Sequence, residues 1–263
     1  MIIEKETILI PKNSSFLNNA YHFFIGYLVP TIDYLSKNTN EKTTYFFRSS
    51  EIMNTWLFSL QEIFKIKIII LETEQFLTKL LETKDVIIFD SYDNVSLFNK
   101  NKINILLNKL RNFYRLDHVS NKEINIAILT RDFAKNNISA YTKDSKFSRF
   151  IENVNELYGE TLKINKCKLV DTSKDEYKDV LECYKKTNIL IGQWGAGLTN
   201  MIWMPRNSKI IEITAKQKLL PPETKDCYKY LAKCLGHKFI SIEAQETWDG
   251  PVDINKILEL IKD

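Results

Sequence analysis

The sequence predicts an α/β fold made of two doubly wound parallel-sheet domains facing across a cleft. Two observations carry that expectation. Short apolar runs of strand length alternate with amphipathic stretches of helix length along all 263 residues, which is the pattern of repeated βα units. The alternation pauses at Asp117–Lys122, where the chain turns polar and loses its period. A boundary there gives an N-terminal domain over 1–118 and a C-terminal domain over 119–263, each near the lower end of ordinary domain sizes.

In the first half, Thr7–Ile10 reads as a strand and Asn18–Leu35 as a helix. Asn18 or Asn19 can cap that helix, and Phe23, Phe24, Tyr27, Leu28 and Leu35 form its apolar face. Pro30 should kink it. Thr44–Phe47 is the next strand. Glu51–Phe64 is a helix with a core stripe of Met53, Trp56, Leu57, Leu60 and Phe64. Lys67–Leu71 (strand), Glu74–Glu82 (helix), Val86–Phe89 (strand) and Ile103–Leu116 (helix) complete the half.

The second half opens with a strong strand, Glu123–Thr130, followed by Arg131 and Asp132. Asp144–Tyr158 reads as a helix with Phe147, Phe150, Ile151, Val154 and Leu157 inward, ended by Gly159. Leu162–Val170 is a strand, and Ser173–Lys185 a helix capped by Ser173. Beyond the glycine-rich stretch described next come a helix over Glu223–Leu235 ended by Gly236, a strand over Lys238–Ile242 and a closing helix over Asp253–Ile261. That last helix is a candidate to cross back to the first domain. Trp248-Asp249-Gly250-Pro251 is the loop before it.

The chain is organised around Asn188–Ile213, NILIGQWGAGLTNMIWMPRNSKIIEI. An apolar strand, Asn188–Ile191, runs into Gly192-Gln193-Trp194-Gly195-Ala196-Gly197. Leu198–Met204 reads as a short helix, Pro205–Ser208 as a turn, and Lys209–Ile213 as a second strand. Glycines between strand and helix let backbone N–H groups approach a ligand, and a helix start favours a phosphate. The spacing is neither GxGxxG nor a P-loop. On spacing alone, a phosphate site and a tight turn that binds nothing are both open.

Composition excludes several classes. A net charge of +4 with interspersed signs leaves no nucleic-acid footprint. Cys167, Cys183, Cys227 and Cys234 form no CxxC pair, and there are three histidines in all, so no zinc pattern exists. Reduced thiols, no signal-peptide pattern and no run of ~20 apolar residues point to a cytoplasmic protein without a membrane span. The sequons at Asn13, Asn94 and Asn137 read as chance in an Asn-rich chain.

Gly195-Ala196-Gly197-Leu198-Thr199-Asn200-Met201, then Met204-Pro205, then Ile211-Glu212-Ile213 closely resemble the hallmark of glycosyltransferase family 61. That family includes animal protein O-GlcNAc transferases, plant xylosyltransferases, and bacterial and viral polysaccharide enzymes. Its usual pattern opens His-Gly-Ala-Gly; here Trp194 replaces the His. If that His touches the donor phosphates, another group must do so here, or Trp194 stacks on something instead. The resemblance implies a GT-B architecture, a nucleotide-sugar donor with UDP favoured, inversion at the anomeric carbon and no bound metal or other cofactor. The implied product is a glycan, glycolipid or glycoprotein, the acceptor hydroxyl being unreadable.

Residue roles follow from the same resemblance. Thr130-Arg131-Asp132 is similar to the family's strand-end Ser/Thr-Arg, and an Arg fork suits a diphosphate; the plain alternative is a surface salt bridge. Trp194, Gly195, Ala196, Gly197, Leu198, Thr199 and Asn200 would form the donor site with Arg131. Glu212 would accept from the ribose, or else cap the next turn. Tyr21-His22-Phe23 is similar to a family His before an apolar helix, which makes His22 the first candidate for general base, with Asp132, Asp90 and Asp93 next. Asp90-Ser91-Tyr92-Asp93 is one residue longer than the metal-holding Asp-x-Asp of GT-A enzymes, so it reads as a strand end, a turn or part of the acceptor cleft. Two alternatives stay open. One is a catalytically degenerate nucleotide-sugar-binding protein. The other is a nucleotide-dependent enzyme such as a methyltransferase, against which Ile8–Ser15 offers no glycine cradle.

Overall fold

A computed structural model describes residues 5–11, 23–39, 41–47, 51–71, 85–89, 100–116, 125–130, 150–171, 175, 177–215, 226–246 and 249–262. The chain divides into two compact units, Met1–Tyr114 and Arg115–Asp263. Each has its own all-parallel sheet, so the α/β reading holds in both.

The first unit pairs β1 (Lys5–Pro11), β2 (Glu41–Phe47), β3 (Lys67–Leu71) and β4 (Asp85–Phe89) in the order β3-β2-β1-β4. The helices are α1 (Val29–Lys37), α2 (Glu51–Phe64) and α3 (Lys100–Phe113). The chain winds outward from β1 to β3 and then returns to the far side of β1. Strand order therefore reverses between β1 and β4, whose ends pair Pro11 with Phe89. The predicted helix 74–82 and the expected capping residues Asn18 and Asn19 lie outside the described residues.

Where a kink at Pro30 was expected, the structure has a widened turn just before it. Phe24–Leu28 forms a π-turn running into α1, with the Val29 N–H bonded to the Phe24 carbonyl. Pro30 has no N–H to give to the carbonyl four residues back, so the preceding turn widens instead of continuing the α ladder. The widened turn keeps Phe23, Phe24 and Tyr27 buried together. Phe23 and Phe24 lie 6.1 and 6.0 Å from the Trp56 ring, and Phe23 meets Tyr27 edge-on at 5.5 Å. Such aromatic pairs each contribute about 0.5–1.5 kcal/mol beyond area burial. The Tyr27 hydroxyl donates to the Leu9 carbonyl at 2.6 Å, which satisfies a buried polar group and ties this helix to β1.

The second unit pairs β5 (Asn125–Leu129), β7 (Lys166–Val170), β8 (Ile189–Gln193), β9 (Lys209–Ala215) and β10 (Lys238–Gln245) in the order β10-β9-β8-β5-β7. Counted along the chain this is 2-1-3-4-5, a doubly wound order whose reversal lies between its first and third strands. Here those strands are β5 and β8. A two-residue parallel ribbon joins β6 (Phe150–Ile151) to β11 (Asp249–Gly250). The helices are α4 (Val154–Leu162), α5 (Tyr177–Lys185), α6 (Cys227–Leu235) and α7 (Ile254–Lys262).

One sheet face carries Ile126, Ile128, Ile189, Ile191, Ile211, Ile213 and Ile242 into a core with Leu157 of α4 and with Ile257 and Ile261 of α7. The closing helix thus packs on its own unit's sheet. The Lys209 amine donates to the Leu260 carbonyl at 2.8 Å, a cation at the helix's negative end. Gly236 adopts the left-handed conformation (φ 77°) and ends α6. The His237 N–H reaches back to the Ala232 carbonyl at 2.9 Å, as in a Schellman ending.

Two predicted helices change character. In place of the front of the Asp144–Tyr158 helix, Phe150–Ile151 is a strand, and the helix starts at Val154 and runs through Gly159 to Leu162. The cause is Asn153. Its side chain donates to the Val252 carbonyl at 3.1 Å and accepts from the Val252 N–H at 2.8 Å. That two-way clasp imitates a backbone pair and holds the preceding residues extended beside β11. The short helix expected at Leu198–Met204 is present as a 3₁₀ helix over Ala196–Trp203. Leu198 to Trp203 are all buried, so the segment is enclosed rather than lying one face down. The Asn200 side chain closes its first turn on the Gly197 carbonyl at 3.0 Å. Met204 is extended (ψ 153°), as a residue before proline prefers.

Candidate functional site

Open α/β sheets bind ligands outside the strand carboxyl ends where the strand order reverses. In the second unit that point lies between β5 and β8. β8 ends at Gln193 and leads directly into Trp194-Gly195-Ala196-Gly197. β5 ends at Leu129, and Thr130 stays in line through its N–H bond to the Val170 carbonyl at 3.0 Å. Arg131 and Asp132 follow Thr130 in sequence and lie outside the described residues. In the first unit the reversal lies between β1 and β4. His22 belongs to the connection after β1, and Asp90 and Asp93 to the one after β4; all three lie outside the described residues. Every candidate base and the candidate diphosphate Arg therefore belong to connections that leave a reversal strand.

The glycine-rich turn is described in full. The Trp194 N–H donates to the Ile213 carbonyl at 3.0 Å, holding the turn against β9. Its indole is half-buried and meets Tyr228 of α6 edge-on, with centroids 5.6 Å apart at 74°. The aromatic side chain at this position thus packs against a second aromatic brought in from 34 residues downstream. Gly195 is extended (φ 159°), and its carbonyl accepts the first 3₁₀ bond, from Leu198 at 3.0 Å. Among the described residues, nothing accepts from the N–H groups of Gly195, Ala196 and Gly197. These are the orphan donors of a helix start. Leu198 and Thr199 are fully buried, and the Thr199 hydroxyl has no partner among the described residues. The Asn200 amide is committed to the turn itself.

Two of the glycines have a packing reason. A Cβ at Gly192 would come within 2.5 Å of Leu129 Cδ1 and 3.1 Å of its Cβ and Cγ, and one at Gly197 within 3.2 Å of the same Cδ1. Leu129, the last residue of β5, fills the space beneath the turn. Gly192→Ala is expected to destabilise the protein by about 1–3 kcal/mol, the cost of overpacking. The loss should largely vanish in a Leu129→Ala background. Urea denaturation of the four proteins of that cycle measures the coupling; equal losses in both backgrounds would refute the contact.

β9 continues beyond the expected Ile213 to Ala215, so Glu212 lies inside the strand and not at a turn. It pairs with Gly192 on one side and Ser241 on the other. Its carboxylate is buried and accepts from the Ser241 hydroxyl at 2.7 Å. His237 is also buried and donates Nε2–H to the Met201 carbonyl at 3.0 Å, fixing the far half of the 3₁₀ helix.

The opposite, amino-terminal edge of the same sheet holds a cavity of about 360 Å³ between β7 and α5, lined by Lys166, Cys167, Asp179 and Cys183 among others. Burial, and then the neighbouring Cys183, push the Cys167 thiol up to about 12. Burial also raises the Cys183 thiol. Both stay neutral thiols and poor nucleophiles. All four cysteines are free, and no group of three or more His, Cys, Asp or Glu among the described residues could hold a metal. No described helix is long and apolar enough to cross a membrane.

Sequence reasoning missed Leu129, Ser241, Tyr228, Gln193 and Gln245. None of them belongs to a motif, and each meets its partner only once the sheet is assembled. The family model described as Glycosyltransferase 61 matches residues 20–211, which span both units. Among curated proteins there is no match.

Proposed function

The chain belongs to glycosyltransferase family 61 and is a glycosyltransferase, and from that premise we propose that it moves a sugar from a nucleotide-diphosphate donor to an acceptor hydroxyl with inversion. One observation carries the reading. The turn Trp194–Gly197 and the Thr130-Arg131 segment leave adjacent strands, β8 and β5, at the reversal point of one sheet. The GT-B arrangement, a UDP-linked GlcNAc- or xylose-like donor, a glycan or protein acceptor in polysaccharide or glycoconjugate synthesis, and a cytoplasmic setting belong to the same proposal.

In this reaction the acceptor oxygen attacks the anomeric carbon as the bond from that carbon to the diphosphate oxygen breaks. The acceptor proton passes to a base, and the nucleotide diphosphate leaves as an anion. Fixed donors stabilise the charge growing on it. The N–H groups of Gly195, Ala196 and Gly197 and the guanidinium of Arg131 fill that role, and no metal is required. Leu198, Thr199 and Asn200 hold the turn in shape, with Trp194 anchored beside it. Glu212 is available to the ribose from the base of the turn. His22 takes the acceptor proton, with the carboxylates of Asp132, Asp90 and Asp93 as the other candidates.

A thermal-shift panel of UDP, GDP, CMP and dTDP, each with and without EDTA, tests the reading. A ligand at ~100 times its dissociation constant stabilises the folded protein by about 2.7 kcal/mol. The expected result is a shift with UDP that EDTA leaves unchanged. A shift lost in EDTA would remove the metal-free mechanism, and silence across the panel would favour a degenerate family member.

A further inference from the structure

We infer that Gln245 is a positioning residue for the donor turn, acting through Gln193. This rests on the reading that the turn Trp194–Gly197 holds the donor. Gln193 is the last residue of β8, immediately before Trp194. Its Nε2 donates to Gln245 Oε1, and Gln245 Nε2 donates in turn to the Gly250 carbonyl. Two side-chain amides thus form a relay that points one way, each donating onward.

The relay is built rather than incidental. Gln245 is 1% exposed, although glutamine usually lies at the surface. The β10–β9 register slips between Glu243 and Gln245, a bulge of the kind that re-aims a side chain at a sheet end. A buried amide at such a bulge needs partners for both its ends, and here it has them.

The far end of the relay gives it meaning. Gly250 lies in β11, which pairs with β6 at Phe150–Ile151. The Gly250 carbonyl also accepts from the Glu152 N–H at 3.2 Å, and the Asn153 clasp on Val252 locks the same ribbon. The relay therefore bonds the entrance of the donor turn, at the end of β8, to the β6–β11 ribbon through side chains.

Gln245→Met keeps the bulk and removes both bonds; Gln193→Met removes one and is the second variant should the first fail to fold. Amide hydrogen exchange and UDP affinity, both measured well below the unfolding temperature, read the effect. The expected result is exchange at Trp194 and Leu198, the hydrogen-bonded amides of the turn, at least about tenfold faster in either variant, with strand amides at 189–191 and 210–213 unchanged, and UDP binding about tenfold weaker. Uniform acceleration across the second unit with unchanged UDP affinity would overturn the inference, because it marks a purely structural amide. If wild type binds no UDP, the donor reading falls on its own, and the local exchange difference still decides the relay.

Discussion

Replacing His22 by alanine should lower turnover by about 10²–10⁴-fold, the usual contribution of a positioned general base, and leave UDP affinity at its wild-type value. In sequence His22 lies between β1 and Phe24–Leu28, and β1 is one of the two strands flanking the reversal point of the first sheet. Its neighbour Phe23 is fully buried against Trp56 and Tyr27, so the chain directly after His22 is fixed by packing. A base needs that fixity, because proton transfer requires hydrogen-bond reach in the bound complex. The split between turnover and donor affinity separates a base from a donor contact. Undiminished turnover would eliminate His22 and move the role to the carboxylates, tested as Asp132→Asn, Asp90→Asn and Asp93→Asn.

Elements whose signal is local were legible in the sequence. The helix Glu51–Phe64 and the strand Lys67–Leu71 match their predicted bounds, because an apolar stripe and a run of β-branched residues each specify their own period. The left-handed Gly236 was legible for the same reason. What failed was set from far away. Phe150–Ile151 is extended because Asn153 is clasped by Val252, a partner 99 positions along the chain. No window of neighbouring residues contains that pairing, and a two-residue strand has no period to detect. The π-turn before Pro30 was half legible: proline announces a defect, but whether it becomes a kink or a wider turn depends on what the helix packs against.

At the site, residue identities were legible and their reasons were less so. Gly192 and Gly197 were read as openings for a ligand, yet both also make room for Leu129, a residue with no motif of its own. Trp194 packs against Tyr228, and Glu212 accepts from Ser241. Each partner sits on a different element, so the contact exists only once the sheet is assembled. The strand order itself, which places the connections from β5 and β8 side by side, was also beyond the alternating pattern. Alternation predicts parallel βα units but does not say where the winding reverses.

That reversal is the ground for the Arg131 prediction. Arg131→Ala should lower turnover by about 10²–10³-fold, the cost of removing one preorganised donor to the charge of a transition state, and should also weaken UDP. The turn contributes backbone N–H groups, which carry partial charges only. The formal positive charge must come from a side chain, and Arg131 is the candidate that leaves the strand adjacent to the turn. Arg131→Lys distinguishes the kind of contact. A guanidinium can donate two parallel bonds to a diphosphate, whereas an ammonium is a point charge. Lysine should therefore recover only a small part of the lost turnover if the contact is bidentate, and most of it if the group acts only through its charge. Full activity in Arg131→Ala would show that the leaving diphosphate is stabilised without this residue, by the turn alone or by a group from another part of the chain. Pairing Arg131→Ala with His22→Ala completes the argument. One should damage donor affinity and turnover together, the other turnover alone, and the double variant should lose about the product of the two if donor and acceptor are handled by independent groups.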